Sequence, residues 1–271
     1  SCLVKTSTTR SELIVKFNGL LASLLLVGIL ASCGSTETNT TKEVELTISA
    51  AASLQDALEE LQKNYEKEHT NIKIIYNFGG SGALQQQILN GAPVDLFFSA
   101  SQDKFDELVK EGLINNTKET DLLANELVLI VPNNNEKQIQ SFEDLTKSEK
   151  IALGTPETVP AGQYGVESLQ NMKLWSAVES KIVYTKDVRQ VLTYTETENV
   201  DAGIVYKTDA LVSDKVSVVA SANEDTYTPI IYPVGVIKDS KHVKEAEDFY
   251  HFLQSDEAMK VFEKYGFQGA N

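Results

Sequence analysis

An α/β fold is predicted by three features of the sequence. Strand-like and helix-like segments alternate along most of the chain. The strand-like ones are mostly near-continuous apolar runs, and several end in small or glycine-rich turns leading directly into a helix. Continuous apolar strands between helices imply a mostly parallel sheet covered on both faces. The clearest turn lies in "YNFGGSGALQQQI", residues 76–88. A strand, a glycine-rich turn and a helix together can cradle an anion on backbone N–H groups at the helix N-terminus. This stretch lacks the lysine of a P-loop and does not fit the dinucleotide-binding fingerprint.

Taken in order, Val44–Ala50 reads as a strand, followed by Leu54, Ala57, Leu58 and Leu61 at helical spacing. Ile72–Phe78 is a strand and Ala83–Leu89 a helix. Val94–Ser99 is an apolar strand, and Phe105, Leu108 and Val109 mark another helix. A second series begins at "NELVLIVP", Asn125–Pro132. Ile151–Leu153 is a strand and Ala161–Trp175 a helix; strands Lys181–Tyr184 and Ala202–Tyr206 flank a short helix starting near Val188. Val216–Ala220 and Ile230–Ile237 are strands, and helices Val243–Leu253 and Glu257–Tyr265 close the chain. No internal repeat or low-complexity tract is visible. Periodicity does not show whether the chain divides into two lobes.

The 271 residues, 42% hydrophobic, suffice for one large domain or two lobes with cores of their own. A formal net charge of −15 argues against nucleic acid as a partner. It also gives a small anion no long-range attraction, so any anion site has to work locally. Residues 1–32 read as a secretory signal: Arg10 and Lys16 precede Leu20–Leu30, an apolar run of 11 residues, too short for a bilayer span and suited to an h-region. "LASC", Leu30–Cys33, resembles a lipoprotein lipobox, whose cleavage would leave Cys33 as a lipid-modified first residue. The alternative is an ordinary signal with an incidental cysteine. Residues 33–42 then form a lipid-anchored tether, rich in Ser and Thr. Residues 1–32 carry three basic and one acidic side chain, so the remainder holds 21 Lys+Arg against 38 Asp+Glu, a net of −17. Cys2 would be lost and Cys33 acylated, leaving no disulfide within the mature chain.

Four helix starts and one strand end are candidates for chemistry. Ser53, in "AAASLQDALEEL", stands where a strand meets a helix; a plain N-cap is the simpler reading, and a hydroxyl facing a ligand is compatible with it. Ser81, flanked by Gly80 and Gly82, repeats the arrangement; its bland reading is a tight turn needing glycine at positive φ. In "PETVPAGQYG", Pro160 suits a first helical position, while Ala161 and Gly162 are small enough for a ligand to approach the backbone. "TKDVRQVL" starts a helix with Asp187 as cap and Val188 in the first turn. "AGIVY" is a buried-looking strand ending in the phenol of Tyr206, a position more often used for packing. Catalytic sets are poorly supported. His69, His242 and His251 have no metal-ligand spacing, the mature chain has no thiol nucleophile, and Ala83 stands where a G-x-S-x-G elbow needs glycine.

The ordered set "AAASL", "FGGSGAL", "GAPVDLFFSA", "PETVPAGQY", "KDVRQVL", "GIVYKTDA" and "KYGF" resembles the substrate-binding protein of molybdate ABC transporters, over about Val44–Phe267. The resemblance implies a two-lobed periplasmic-binding-protein fold of the second type, with residues 43–125 and 233–271 in one lobe, 126–232 in the other, and a ligand cleft between them. It implies that molybdate or tungstate is bound through its oxygens, with no side chain coordinating the metal. The donors would be the hydroxyls and backbone of Ser53 and Ser81, the backbone N–H groups of Ala161 and Val188, and the Tyr206 hydroxyl. Many relatives carry serines where this chain has Gly80 and Gly82, so extra hydroxyl contacts are not expected there. The resemblance further implies a monomer with no cofactor and no enzymatic activity, held at the membrane by its lipid and delivering the ion to a permease driven by a separate ATPase. A binding protein for sulfate or phosphate, a secreted enzyme on a related scaffold, and the sensing module of a transcription regulator are the competing readings. The signal and lipobox argue against the last.

Overall fold

The structure is a computed structural model that describes residues 42–270. The expected signal, the lipid site at Cys33 and residues 34–41 of the tether lie outside the described residues.

The first sheet opens with β1 (Val44–Ala51), which leads through a single 3-10 turn (Ala52–Leu54) into α1 (Gln55–Glu68). Leu58, Leu61 and Tyr65 share one face of α1 and are buried, as their spacing predicts. Then come β2 (Ile72–Gly79), α2 (Ser81–Leu89), β3 (Leu96–Phe98), α3 (Gln102–Lys110) and β4 (Ile114–Asn125). The second sheet begins at β5 (Leu127–Pro132) and continues through β6 (Ile151–Gly154), α4 (Pro160–Asn171), α5 (Trp175–Val178), β7 (Ile182–Thr185), α6 (Val188–Glu196), β8 (Ala202–Tyr206), α7 (Lys207–Leu211) and β9 (Val216–Ser221). The chain returns to the first sheet with β10 (Ile230–Ile237), then α8 (Val243–Leu253), α9 (Asp256–Lys264) and β11 (Gln268–Gly269).

Strand order is β11-β4-β10-β3-β1-β2 in one sheet and β7-β6-β8-β5-β9 in the other. The expected mostly parallel sheet is corrected here. β1 pairs in parallel with β2 and β3, and β6 with β7 and β8; β10, β4, β11, β5 and β9 all enter antiparallel pairings. Both sheets are therefore mixed: β10 and β11 run against the parallel set of the first sheet and β5 against that of the second. Alternation on β3 shows why both faces of the first sheet are covered. Leu96 and Phe98 enter the large core, whereas Phe97 joins a second cluster with Leu84, Ile88, Phe105 and Leu108 from α2 and α3.

Two further expectations change. The helix expected over Ala161–Trp175 ends at Asn171, because Lys173 adopts a left-handed φ of 62° before α5 begins. Gly162 does not open the backbone to a ligand. A Cβ there would lie 1.9 Å from the Gly154 carbonyl oxygen, so its missing side chain lets α4 lie against β6. Gly162→Ala should therefore force α4 off β6 and cost at least about 1–3 kcal/mol of stability. Urea denaturation should show a lower midpoint with an unchanged m-value.

Candidate functional site

Every strand that precedes a candidate residue ends on the same side of the structure, and the helix starts that follow meet there. They form a small pocket lined by Ala51, Ala52, Ser53, Gly79, Gly80, Ser81, Ala100, Val159, Pro160, Ala161, Val188 and Tyr206. All five residues singled out in the sequence are in this lining. Ser53 lies in the turn that feeds α1, Ser81 opens α2, Ala161 follows Pro160 at the start of α4, Val188 opens α6, and Tyr206 precedes α7. First-turn N–H groups have no acceptor within their own helix, and each helix N-terminus adds a partial positive charge. The lining contains no Lys, Arg, His, Asp or Glu.

The hydroxyls are set by their neighbours. Ser53 does not cap α1, contrary to the simpler reading: the cap position is Leu54, and Ser53 Oγ instead lies 2.9 Å from the Tyr232 hydroxyl. Tyr232 accepts a hydrogen bond from Asn125 Nδ2 at 3.1 Å. Either hydroxyl can be the donor of this bond; when Tyr232 donates to Ser53 Oγ, the Ser53 proton is left for the cavity. Ser81 Oγ accepts from the Ala100 N–H at 2.9 Å, so its proton is likewise free to donate. The Tyr206 hydroxyl is buried and has no partner among the described residues. Burial pushes its pKa well above the usual phenol value, reinforced by Tyr232, Tyr164 and Asp209, so it stays protonated and can act as a donor.

The glycines beside Ser81 serve a purpose different from the one expected. Gly80 takes φ −66°, and neither it nor Gly82 is at positive φ. A Cβ on Gly80 would stand 2.6 Å from the Thr158 carbonyl oxygen and 3.0 Å from that of Lys186; one on Gly82 would stand 2.8 Å from Thr158 Cα. The Gly82 N–H donates to the Thr158 oxygen at 2.9 Å. Bare backbone from the two sheets' turns therefore meets at the cavity's edge.

Sequence reasoning missed Tyr232 and Arg189. Arg189 Nη2 lies 2.6 Å from Asp56 Oδ2, and Nε lies 2.8 Å from Asp209 Oδ1. Neither contact has hydrogen-bond alignment, so charge holds them. Asp209 is fully buried and also accepts from the Tyr206 N–H at 3.1 Å. Burial pushes its carboxyl up to about 6, against the pull of the Arg189 guanidinium. Burial lowers the Arg189 guanidinium, but Asp209 and Asp56 together outweigh that and raise it. The signal for Arg189 in the sequence was a lone charge in the first turn of an apolar helix; its partners lie far away in the chain.

A wider groove of about 520 Å³ runs past Thr47, Asp95, Ser240 and His242 at the other end of β1. Its buried carboxylate, Asp95, is already engaged by the Thr47 N–H at 2.8 Å and the Ser240 hydroxyl at 2.6 Å. No cluster of three or more His, Cys, Asp or Glu able to hold a metal occurs among the described residues.

Two sheet-centred halves with a small, neutral, donor-lined cavity where their helix starts meet define a solute-binding protein of the type II periplasmic-binding-protein fold. The chain belongs to the bacterial extracellular solute-binding protein family, whose model matches residues 46–268. It is 60% identical over 254 residues to YvgL of Bacillus subtilis, provisionally named an ABC transporter substrate-binding lipoprotein; the match covers 93% of this chain and 98% of that protein. It is 37% identical over 231 residues to the molybdate-binding protein ModA of Haemophilus influenzae, covering 82% of this chain and 89% of the relative. Among solved structures it is similar to the substrate-binding domain of a provisionally assigned molybdenum ABC transporter from Clostridium difficile. That match has a TM-score of 0.65 and 43% identity, covering 84% of this chain and all of the other.

The buried carboxyl gives a pH dependence of definite sign. Folded Asp209 holds its proton up to about pH 6, whereas the unfolded chain releases it near the ordinary 3.8. Between these values the folded state binds more protons, so this group's contribution to stability falls as pH rises. The Tm of the wild type minus that of Asp209→Asn should accordingly decline from pH 4 to pH 6 in melts of the ligand-free protein, and a flat difference would contradict the assignment.

Proposed function

We propose that this chain is the extracytoplasmic binding component of an ABC transporter and that it captures molybdate, with tungstate as an equivalent ligand, at Ser53, Ser81, Ala161, Val188 and Tyr206. The reading rests above all on the Tyr206 hydroxyl, a buried donor without a partner in a cavity that has no charged wall. A buried hydroxyl left unpaired is costly, and a ligand oxygen would satisfy it.

The donor set favours a fully deprotonated tetrahedral dianion. Ser81 accepts from the Ala100 N–H and, in this reading, Ser53 accepts from Tyr232, so both offer protons; Tyr206 offers its own, and Ala161 and Val188 offer first-turn N–H groups. Phosphate near neutral pH retains a proton that needs an acceptor, and these groups supply none. Sulfate carries the right charge but is smaller, so its oxygens would not reach every donor together. Hydrogen bonds to a charged group contribute about 1.5–3 kcal/mol each and helix N-termini about 0.3–1 kcal/mol, up to about 2 when partly buried. Several together reach the range of micromolar to nanomolar binding, about −8 to −12 kcal/mol. The mature protein acts as a monomer tethered through Cys33, its two halves close on the ion, and the closed form is what the permease, driven by its ATPase, receives.

Calorimetric titration of the soluble form from Ser35 onward with molybdate, tungstate, sulfate and phosphate tests this. Sub-micromolar binding of the first two is expected, with the others about a thousandfold weaker, equivalent to about 4 kcal/mol. Tyr206→Phe should weaken molybdate about 10- to 150-fold, the loss of one hydrogen bond to an ion, while leaving the ligand-free Tm near that of the wild type. Tight sulfate or phosphate binding would replace the substrate, and heat from none of the four would remove the site.

A further inference from the structure

The oxyanion reading leaves one ion cluster beside the cavity without a role. Arg189 follows Val188 directly, yet its side chain is absent from the cavity lining. Instead the guanidinium reaches three places. Nη2 donates to the Ser53 carbonyl oxygen at 3.4 Å and pairs with Asp56 at 2.6 Å, three residues beyond Ser53. Nε pairs at 2.8 Å with Asp209, whose other oxygen holds the Tyr206 N–H at 3.1 Å. One planar group is thus connected to the turns of Ser53, Val188 and Tyr206, and to both halves of the protein, since α1 packs on the first sheet while α6 and α7 belong with the second.

Resting on the oxyanion reading, we infer that Arg189 is a positioning residue. It holds these three donor turns in register, and its pairing with Asp56 fastens the halves in the closed, ligand-holding form. Charge balance separates this role from direct attraction. The cluster of one guanidinium and two carboxylates has a net charge of −1, so it does not draw an anion in. Geometry favours arginine over lysine for the task. A guanidinium spreads over separate nitrogens, so that Nη2 faces Asp56 and the Ser53 carbonyl while Nε faces Asp209, whereas an ammonium is a single point of charge. Asp56 is the partly exposed end of the cluster and Asp209 the fully buried one, with side-chain exposures of 39% and 0%. Removing Asp56 therefore leaves only the longer Ser53 carbonyl contact of this group between the halves, without stranding the arginine, which keeps Asp209.

Stopped-flow measurement of molybdate association and dissociation, followed by intrinsic protein fluorescence, tests the inference with wild type, Asp56→Asn, Arg189→Lys and Arg189→Gln. Asp56→Asn should raise koff about tenfold with kon within twofold of wild type, and its ligand-free Tm should stay within about 2 °C. Arg189→Lys should bind as weakly as Arg189→Gln, because the charge without the fork does not join the turns. Wild-type affinity in Arg189→Lys would show that the charge acts on the ion directly and overturn the inference. An unchanged koff in Asp56→Asn would overturn the fastening between halves, and this variant answers even if the Arg189 variants fail to fold. The wild type separates the two ideas: molybdate binding there with unaffected variants refutes the inference alone, while no binding in the wild type refutes the oxyanion reading beneath it.

Discussion

A doubly charged ion can be held without a cation only if enough neutral donors face it and each is prevented from turning away. The oxyanion site proposed for this protein is subject to that constraint. Three hydroxyls and several first-turn N–H groups line one small cavity. Two of the hydroxyls are hydrogen-bonded from behind, Ser53 to the Tyr232 hydroxyl and Ser81 to the Ala100 N–H, which holds their oxygens in place. The strands bring the helix starts together, and the mixed sheets, the paired glycines and the ion cluster maintain that convergence. Charge is kept at one remove: Arg189 lies near the cavity but is held by Asp56 and Asp209.

Much of this was legible in the sequence, for identifiable reasons. Apolar strands such as Ala202–Tyr206 and Ile230–Ile237 are buried on both faces, so their composition marked their ends correctly. Ser53, Ser81, Ala161, Val188 and Tyr206 each follow a strand that ends in a helix start, and the fold places all five in one lining. β4 escaped because "INNTKETDLLAN" is polar and mostly partly exposed along its length, with no alternation strong enough to mark a strand. The antiparallel pairings escaped because composition records burial and not strand direction.

The remaining omissions share a physical cause. Tyr232 sits inside an apolar strand, where an aromatic residue usually signals packing; its value lies in touching Ser53, 179 residues away. Arg189 pairs with Asp56 across a similar distance in the chain. Ser53 itself carried a local signature, that of a cap, and the structure replaced it with a long-range contact. Helix starts are local and can be read along the chain. The groups that aim their donors come from elsewhere in the fold and cannot.

The bare backbone contact at Gly80 and Gly82 has a mechanical consequence. Main-chain atoms of Thr158 and Lys186 already stand where a Cβ on these glycines would have to go. The nearest atoms are main-chain ones, with only Val159 Cγ2 adding a side-chain contact at 3.1 Å, so the two turns meet as a hard stop. Like the jaws of a calliper set to one gauge, the walls can reach a fixed separation and approach no further. For any ligand held between these turns, the main chain sets the smallest separation that the walls can reach.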